Sequence, residues 1–314
     1  MDLSFIIPAY NEEKNIPSTV QSIKKNVPPE LSFEIIVVDN GSEDRTVTVS
    51  AEYGAVVFQQ SESKIGGLRN YGAKKSSGQF LVFLDADVHL TEKWGENIQG
   101  LLKMMLAKRN IISGSFCSTP DNPSKLEKTW FKGQDTSKKR YINSGHMIIE
   151  RKYFMSLGGF DERLDTGEDF ELSKRVRLSG GYVFVCDSVK VIHYGYPKTL
   201  SDFYKREKWH GRGDCKSVSS IVSSKVAIAS IVFALINLLF IISILLGCIL
   251  LGGLFLFMVI LIVIIVTAKR LGNYNFNEFV YGMCLSYVYL FARVMSCFKS
   301  KSLRDHTRGC RNCL

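Results

Sequence analysis

The sequence predicts an α/β fold: a doubly wound, mostly parallel sheet over residues 1–197, followed by C-terminal membrane helices. Three observations carry this. Short apolar runs alternate with amphipathic stretches from Leu3 onward, the pattern of strands separated by helices. Polar clusters stand at the ends of the apolar runs, where such sheets bind ligands. A stretch without charge, Val226–Ala268, then exceeds what a soluble core helix needs.

The elements follow in order. Leu3–Ile7 reads as a buried strand, closed by Pro8-Ala9-Tyr10-Asn11, with Asn11 expected to cap a helix over 12–26 that has Glu12 and Glu13 in its first turn. Phe33–Val38 is a second strand ending at Asp39, and Ser42 with Glu43 and Asp44 is expected to open a helix that stops at Gly54. Ala55–Phe58 is a third strand, Gly66–Ser77 a helix, and Phe80–Leu84 a fourth strand ending at Asp85. Further along, Glu168 and Asp169 start an amphipathic helix whose apolar side is expected to hold Leu172, Val176 and Leu178. His193 closes one more apolar strand.

Val226–Ala268 is long enough for two crossings, about 226–246 and 249–268, joined by a tight turn near Gly247–Gly253. No polar face exists at any helical period, which disfavours a buried soluble hairpin. A third apolar segment, about 276–298, contains Glu278 and Arg293 and reads as interfacial or re-entrant, with a third span as the alternative. The chain carries 40 Lys and Arg against 30 Asp and Glu, a formal net charge of +10. Residues 1–197 balance at zero; the surplus lies in the juxtamembrane segment 198–225 (+4), the membrane region 226–298 (+2) and the tail 299–314 (+4). A nucleic-acid-binding domain would carry its basic stripe on the folded part instead. Basic clusters flanking apolar helices face the cytoplasm and its anionic lipids, so the catalytic region is expected there. Met1-Asp2 lead directly into an apolar run without signal-peptide character, which agrees. The eight cysteines show no disulfide spacing and are expected as free thiols, and Cys310 and Cys313 form a lone CxxC of little weight.

The polar clusters suggest chemistry. Asp85 and Asp87, two residues apart at a strand exit, can share a hard divalent cation, Mg²⁺ or Mn²⁺, that neutralises a diphosphate leaving group. A solvated turn is the plainer alternative. Glu168 and Asp169 in Gly167-Glu168-Asp169-Phe170 suit either a helix cap or a general base that takes a proton from an acceptor hydroxyl. His193 is either structural or placed to meet the metal or the diphosphate. No Walker lysine loop occurs and no GxGxxG follows the first strand, so a P-loop NTPase and a Rossmann dehydrogenase are disfavoured.

At this point the chain resembles the family 2 glycosyltransferases of GT-A fold. The resemblance rests on Ile7-Pro8-Ala9-Tyr10-Asn11-Glu12-Glu13, Val37-Val38-Asp39-Asn40-Gly41-Ser42, Gly67-Leu68-Arg69-Asn70-Tyr71-Gly72, Asp85-Ala86-Asp87, Gly158-Gly159-Phe160-Asp161-Glu162 and Gly167-Glu168-Asp169, in the family's order over about residues 3–195. It implies a nucleotide-diphospho-sugar donor and inversion at the anomeric carbon. Pro8, Ala9, Tyr10 and Glu12 would line the nucleoside site, Asp39 would bond the base, and Lys64 and Arg69 would lie near the base or diphosphate. Asp87 would be the main metal ligand, with Asp85 on the ribose or the metal. Asp169 would be the catalytic base, with Glu168 beside it.

Processive members carry Gln-x-x-Arg-Trp before their membrane helices, whereas this chain reads Lys205-Arg206-Glu207-Lys208-Trp209 and keeps only the Trp. Single-sugar transfer to a hydroxyl of a lipid-linked or cell-surface glycan is therefore the leading expectation, with Phe203–Gly213 as a basic interface helix. A polyprenyl-phosphate sugar synthase and a catalytically inactive membrane scaffold are the alternatives. The polar loop Ser118–Lys139 is expected to be a flap over the donor.

Overall fold

The computed structural model describes residues 1–131, 141–214, 218–271 and 274–298. The described residues divide into two units. One comprises 1–121 and 141–196; the other comprises 122–131 and the described residues from 197 onward. The tail from 299, Cys215, Cys310, Cys313 and the 132–139 part of the expected flap lie outside the described residues.

In chain order the first unit contains β1 (Leu3–Ala9), α1 (Ile16–Asn26), β2 (Phe33–Asp39), α2 (Thr46–Glu52), β3 (Val56–Gln59), α3 (Ile65–Lys75), β4 (Phe80–Leu84), β5 (Val88–Leu90), α4 (Glu92–Lys108) and β6 (Ile111–Gly114). After α5 (Lys125–Trp130), which belongs to the second unit, come β7 (His146–Glu150), α6 (Arg151–Ser156), α7 (Glu168–Leu178), β8 (Tyr182–Val185) and β9 (Val191–His193). The main sheet has seven strands in the order β3-β2-β1-β4-β7-β6-β8, and β5 pairs with β9 in a small second sheet. The pairs among β1 to β4 are parallel, β7 is antiparallel to both neighbours, and β8 is again parallel to β6. The sheet is thus mixed and mostly parallel, as expected.

Central strands covered on both faces are mostly apolar. β1 is buried at every position, as is β4. Leu3, Phe5 and Ile7 enter one core layer with Trp94, while Ile6 enters the other with Leu81 and Phe83. Gly72 lets α3 approach β1, because a Cβ there would meet Ile6 at 2.5 Å.

Three local expectations are corrected. Helix α1 starts at Ile16 rather than at residue 12, because Asn11 sits in the left-handed region (φ 57°). The Asn11 amide oxygen accepts from Glu43 N, so it joins two loops instead of capping a helix. α2 likewise starts late, at Thr46, since Ser42 donates to Asp39 and it is Asp44 that accepts from Thr46 N (2.9 Å). On α7, Leu172 and Val176 are buried, but Leu178 is 76% exposed at the fraying end.

The second unit contains α5, α8 (Leu200–His210), α9 (Val218–Ser223), α10 (Lys225–Leu245), α11 (Ile249–Arg270) and α12 (Phe276–Met295). α10 and α11 are long and apolar enough to cross a membrane, and most of their apolar residues are not buried within the protein. Such exposure would be costly for a soluble core helix. Leu126 and Trp130 of α5 pack with Phe203, Phe233 and Tyr289 in the core of this unit. α5 also carries a capping box between Ser124 and Glu127. Within the expected flap, Lys125–Trp130 is therefore a docked helix rather than polar loop, and Ser118 bridges to Ile192. On α8, Phe203 and Glu207 are buried, the latter paired with Arg206 (2.7 Å) and Arg293 (2.9 Å). Cys117, Cys186, Cys248 and Cys284 are free thiols as expected.

Candidate active site

The carboxyl ends of β1, β2 and β4 bring the flagged clusters together. Pro8 and Ala9 end β1 beside Val38 and Asp39 of β2. Tyr10 follows, buried against Ile65 at the start of α3. Asp39 is buried, and its carboxylate closes its own turn by accepting from Gly41 N, Ser42 N (both 2.9 Å) and the Ser42 hydroxyl. Glu12 turns inward, accepts from Asn15 Nδ2 at 2.7 Å and is anchored by its N–H on Thr46 Oγ1 at 2.7 Å. Burial, and next the charge of Asp87, push the Glu12 carboxyl up to about 8.

Arg69, one turn into α3, is the residue on which the acidic groups converge. Its guanidinium is almost wholly buried and forks between two carboxylates: Nη2 donates to Asp85 Oδ1 at 2.6 Å and Nη1 to Glu168 Oε1 at 2.8 Å. Ser144 Oγ donates to the same Glu168 oxygen at 2.9 Å. Glu168 therefore has its charge compensated. Asp85 is drawn upward by burial and by Asp87, against the pull of Arg69. Asp169 is partly exposed at the N-terminus of α7, where Phe170 N donates to it at 2.7 Å. Burial, and next the neighbouring Glu168 charge, raise Asp169 to about 7. Two adjacent carboxyls thus differ: Glu168 is tied to Arg69 and Ser144, and Asp169 titrates near neutrality, as a general base requires.

Asp87 and His193 are brought together by the β5–β9 pairing, with His193 Nε2 at 3.5 Å from Asp87 Oδ1. The His193 ring stacks on Tyr196 at 4.1 Å. Gly195 leaves room beside Asp87, because a Cβ there would fall 1.6 Å from Oδ2. One carboxylate and one imidazole in a small open cradle suit Mn²⁺ or Mg²⁺ that completes its shell with water or phosphate oxygens. Among the described residues no three His, Cys, Asp or Glu form an all-protein cage. Asp85 faces this cradle with one oxygen already committed to Arg69.

Lys64 stands apart from the Arg69 group: its Nζ bonds Asp165 Oδ1 and Arg163 O, each at 2.8 Å. It closes the 161–165 loop onto the start of α3. Asn70, next to Arg69, fastens the same loop, donating to Glu162 Oε1 (2.8 Å) and Phe160 O (2.9 Å) and accepting from Phe160 N (2.8 Å).

Two supporting groups escaped the sequence reading. Ser144 holds Glu168, and Gly145 O accepts from Asp85 N at 3.2 Å. The polar triplet Asn143-Ser144-Gly145 before a buried strand was the available signal. Behind it, His146 is fully buried and receives the Trp94 indole N–H on Nε2 at 2.9 Å. The indole only donates, so Nε2 accepts, while Nδ1 receives the Ser115 N–H at 3.1 Å and lies 3.0 Å from Ser115 Oγ. Burial holds His146 down at about 4, hence neutral.

Comparisons with known proteins converge on one family. Residues 4–158 match the family model "Glycosyl transferase family 2". Glycosyltransferase AglE of Haloferax volcanii is 23% identical over 67% of this chain and 72% of its own. The poly(ribitol-phosphate) β-N-acetylglucosaminyltransferase TarS of Staphylococcus aureus is 33% identical over 30% of this chain, a match that spans only 17% of that enzyme. A crystal structure of TarS residues 1–349 superposes with a TM-score of 0.50 at 20% identity, covering 72% of this chain and 66% of that one. That protein has also been crystallised with UDP-GlcNAc.

Proposed function

With residues 4–158 identified as a glycosyl transferase family 2 domain, and the protein as a glycosyltransferase that uses a nucleotide sugar, we propose that it is an inverting, membrane-anchored enzyme. On this reading it passes one sugar to a hydroxyl of a lipid-linked or cell-surface glycan. The observation that supports it best is the fork of Arg69 between Asp85 and Glu168, which leaves Asp169 as the adjacent carboxyl able to take a proton near neutral pH.

In the proposed reaction the acceptor hydroxyl gives its proton to the Asp169 carboxylate as its oxygen attacks the anomeric carbon. The bond from that carbon to the diphosphate oxygen breaks on the opposite face, and the electron pair leaves with the nucleoside diphosphate. One displacement inverts the centre, so no covalent enzyme intermediate is needed. Asp87 and His193 would hold Mg²⁺ or Mn²⁺, which when bound supplies positive charge for the leaving diphosphate. Pro8, Ala9, Tyr10 and Asp39 would shape the nucleoside pocket, with Glu12 beneath it. Glu168, anchored by Arg69 and Ser144, would position rather than exchange protons. A phosphate acceptor is already ionised near pH 7 and needs no base, so the raised Asp169 favours a hydroxyl acceptor over a polyprenyl phosphate.

α10 and α11 would anchor the chain. Lys225, Lys269 and Arg270 stand at the two helix ends that share one side of such a hairpin, and would place that side in the cytoplasm, where nucleotide sugars are found. The test is donor turnover by membranes containing the full chain, across a panel of nucleotide sugars beginning with UDP-GlcNAc. Asp169→Asn and Asp87→Ala are expected to lose at least about a hundredfold in rate. Turnover by both variants at the wild-type rate would overturn the site assignment. Failure of every donor to be consumed would return the scaffold reading.

A further inference from the structure

The second unit contains a cluster of cations that the transfer reaction does not use. Glu207 on α8 bonds Arg206 and Arg293, and Arg293 also pairs with Asp214 at 3.1 Å. Burial alone would raise Glu207, but Arg206 and Arg293 bring it down to about 2, so it stays ionised. His210 is held down at about 3 by burial and by Arg206, so it adds no charge. Three guanidinium groups, counting Arg270, then face two carboxylates.

Arg270, the last residue of α11, has no carboxylate within ion-pair distance among the described residues, and Glu207 acts on it only at longer range. It makes no ion pair or hydrogen bond among the described residues and lies over the Trp130 ring at 3.9 Å and the Tyr289 ring at 5.5 Å. Its Nε is buried without an acceptor, and so are Arg293 Nε and Trp130 Nε1. Buried N–H donors are costly to leave unmatched. Here three of them gather around one aromatic pair beside a guanidinium that no carboxylate contacts among the described residues. The complement is an anion with several acceptor oxygens, and the guanidinium fork matches phosphate in particular.

We propose that Arg270, with Arg293 and Trp130, binds a phosphate group. Its source as a lipid headgroup rests on the membrane anchoring proposed above: the end of a membrane-crossing helix lies at headgroup depth. The site would seat the chain on anionic lipid, or hold the phosphate of a lipid-linked acceptor, apart from the sugar-transfer residues.

The test uses the detergent-solubilised full chain and liposomes of phosphatidylcholine with or without phosphatidic acid, with inorganic phosphate as a second probe. Wild type is expected to bind the phosphatidic acid liposomes at least about tenfold more tightly than phosphatidylcholine alone. Arg270→Gln should remove that preference, and Arg270→Lys should restore part of it. Lys269→Gln, its exposed neighbour, should lose no more than the roughly fivefold of an ordinary surface charge. Arg270-dependent binding of inorganic phosphate alone would support the site with a soluble phosphate as its source. If neither probe binds in an Arg270-dependent way, the site is overturned. Carbonate extraction separates the two readings: a chain that stays in the membrane pellet yet shows no such binding loses the site and keeps the anchor. A chain that is extracted and still binds phosphate through Arg270 keeps the site and loses the anchor.

Discussion

Replacing Arg69 by Gln removes the one cation shared by Asp85 and Glu168, and the consequence can be worked from the geometry. The Arg69 side chain is 3% exposed, that of Asp85 15% and that of Glu168 7%, so little water can replace the guanidinium. Breaking a buried pair from one side costs about 3–5 kcal/mol, because the surviving charge is left in a poor dielectric. Two carboxylates survive here, so the upper half of that range is expected near pH 8. With about 2–4 °C per kcal/mol for a domain of this size, the melting temperature of the catalytic unit should fall by roughly 8–20 °C. The pH dependence identifies the cause. Without Arg69 both carboxyls titrate higher in the folded than in the unfolded protein, so the folded state binds the extra protons. The loss should therefore shrink as pH falls from 8 toward 5. The assay is thermal unfolding of the full chain in detergent, followed at several pH values, with Arg69→Lys as an intermediate case because one ammonium cannot fork. A loss below about 1 kcal/mol, or one equal at pH 5 and pH 8, would refute the account.

Other expectations follow from the same groups. The wild-type transfer rate at saturating donor should rise with pH through about 7 and then level, since Asp169 must be ionised to accept a proton; a rate flat from pH 5.5 to 8.5 would count against it. Glu12, raised to about 8, takes up a proton on folding and so reduces stability as pH climbs from about 4.5 to 8; in metal-free buffer Glu12→Gln should melt higher than wild type at pH 8 and no higher at pH 4. Trp94→Phe removes the donor to His146 Nε2 and should cost about 1–3 kcal/mol in unfolding experiments, whereas a change at the exposed Lys93 should cost almost nothing.

The alternation of buried strands and helices was legible because central parallel strands are mostly apolar: Phe80–Leu84 is so throughout, Leu3–Ile7 apart from Ser4 and Phe33–Val38 apart from Glu34. Helix starts were not. Asn11 looks like a cap by residue type, but its left-handed backbone and its bond to Glu43 N come from a loop 32 residues away. Leu178 fits the helical period of α7 and still faces solvent, since period alone does not say where the partner surface ends.

The sequence by itself determined the class of the protein: the order of its elements, the carboxylates at the strand ends, and the two apolar helices with their basic flanks. These depend on local pattern, and local pattern survives in one dimension. What each carboxylate does was decided only in three dimensions. Glu168 and Asp169 are neighbours of the same type, yet one is held by Arg69 and Ser144, while the other is left to titrate near 7. The tertiary structure also moved Leu126 and Trp130 out of an expected polar flap and into the core of the helical unit. Charge and burial depend on which distant segments meet, and the folded chain alone brings residue 69 to residue 168 and residue 130 to residue 270.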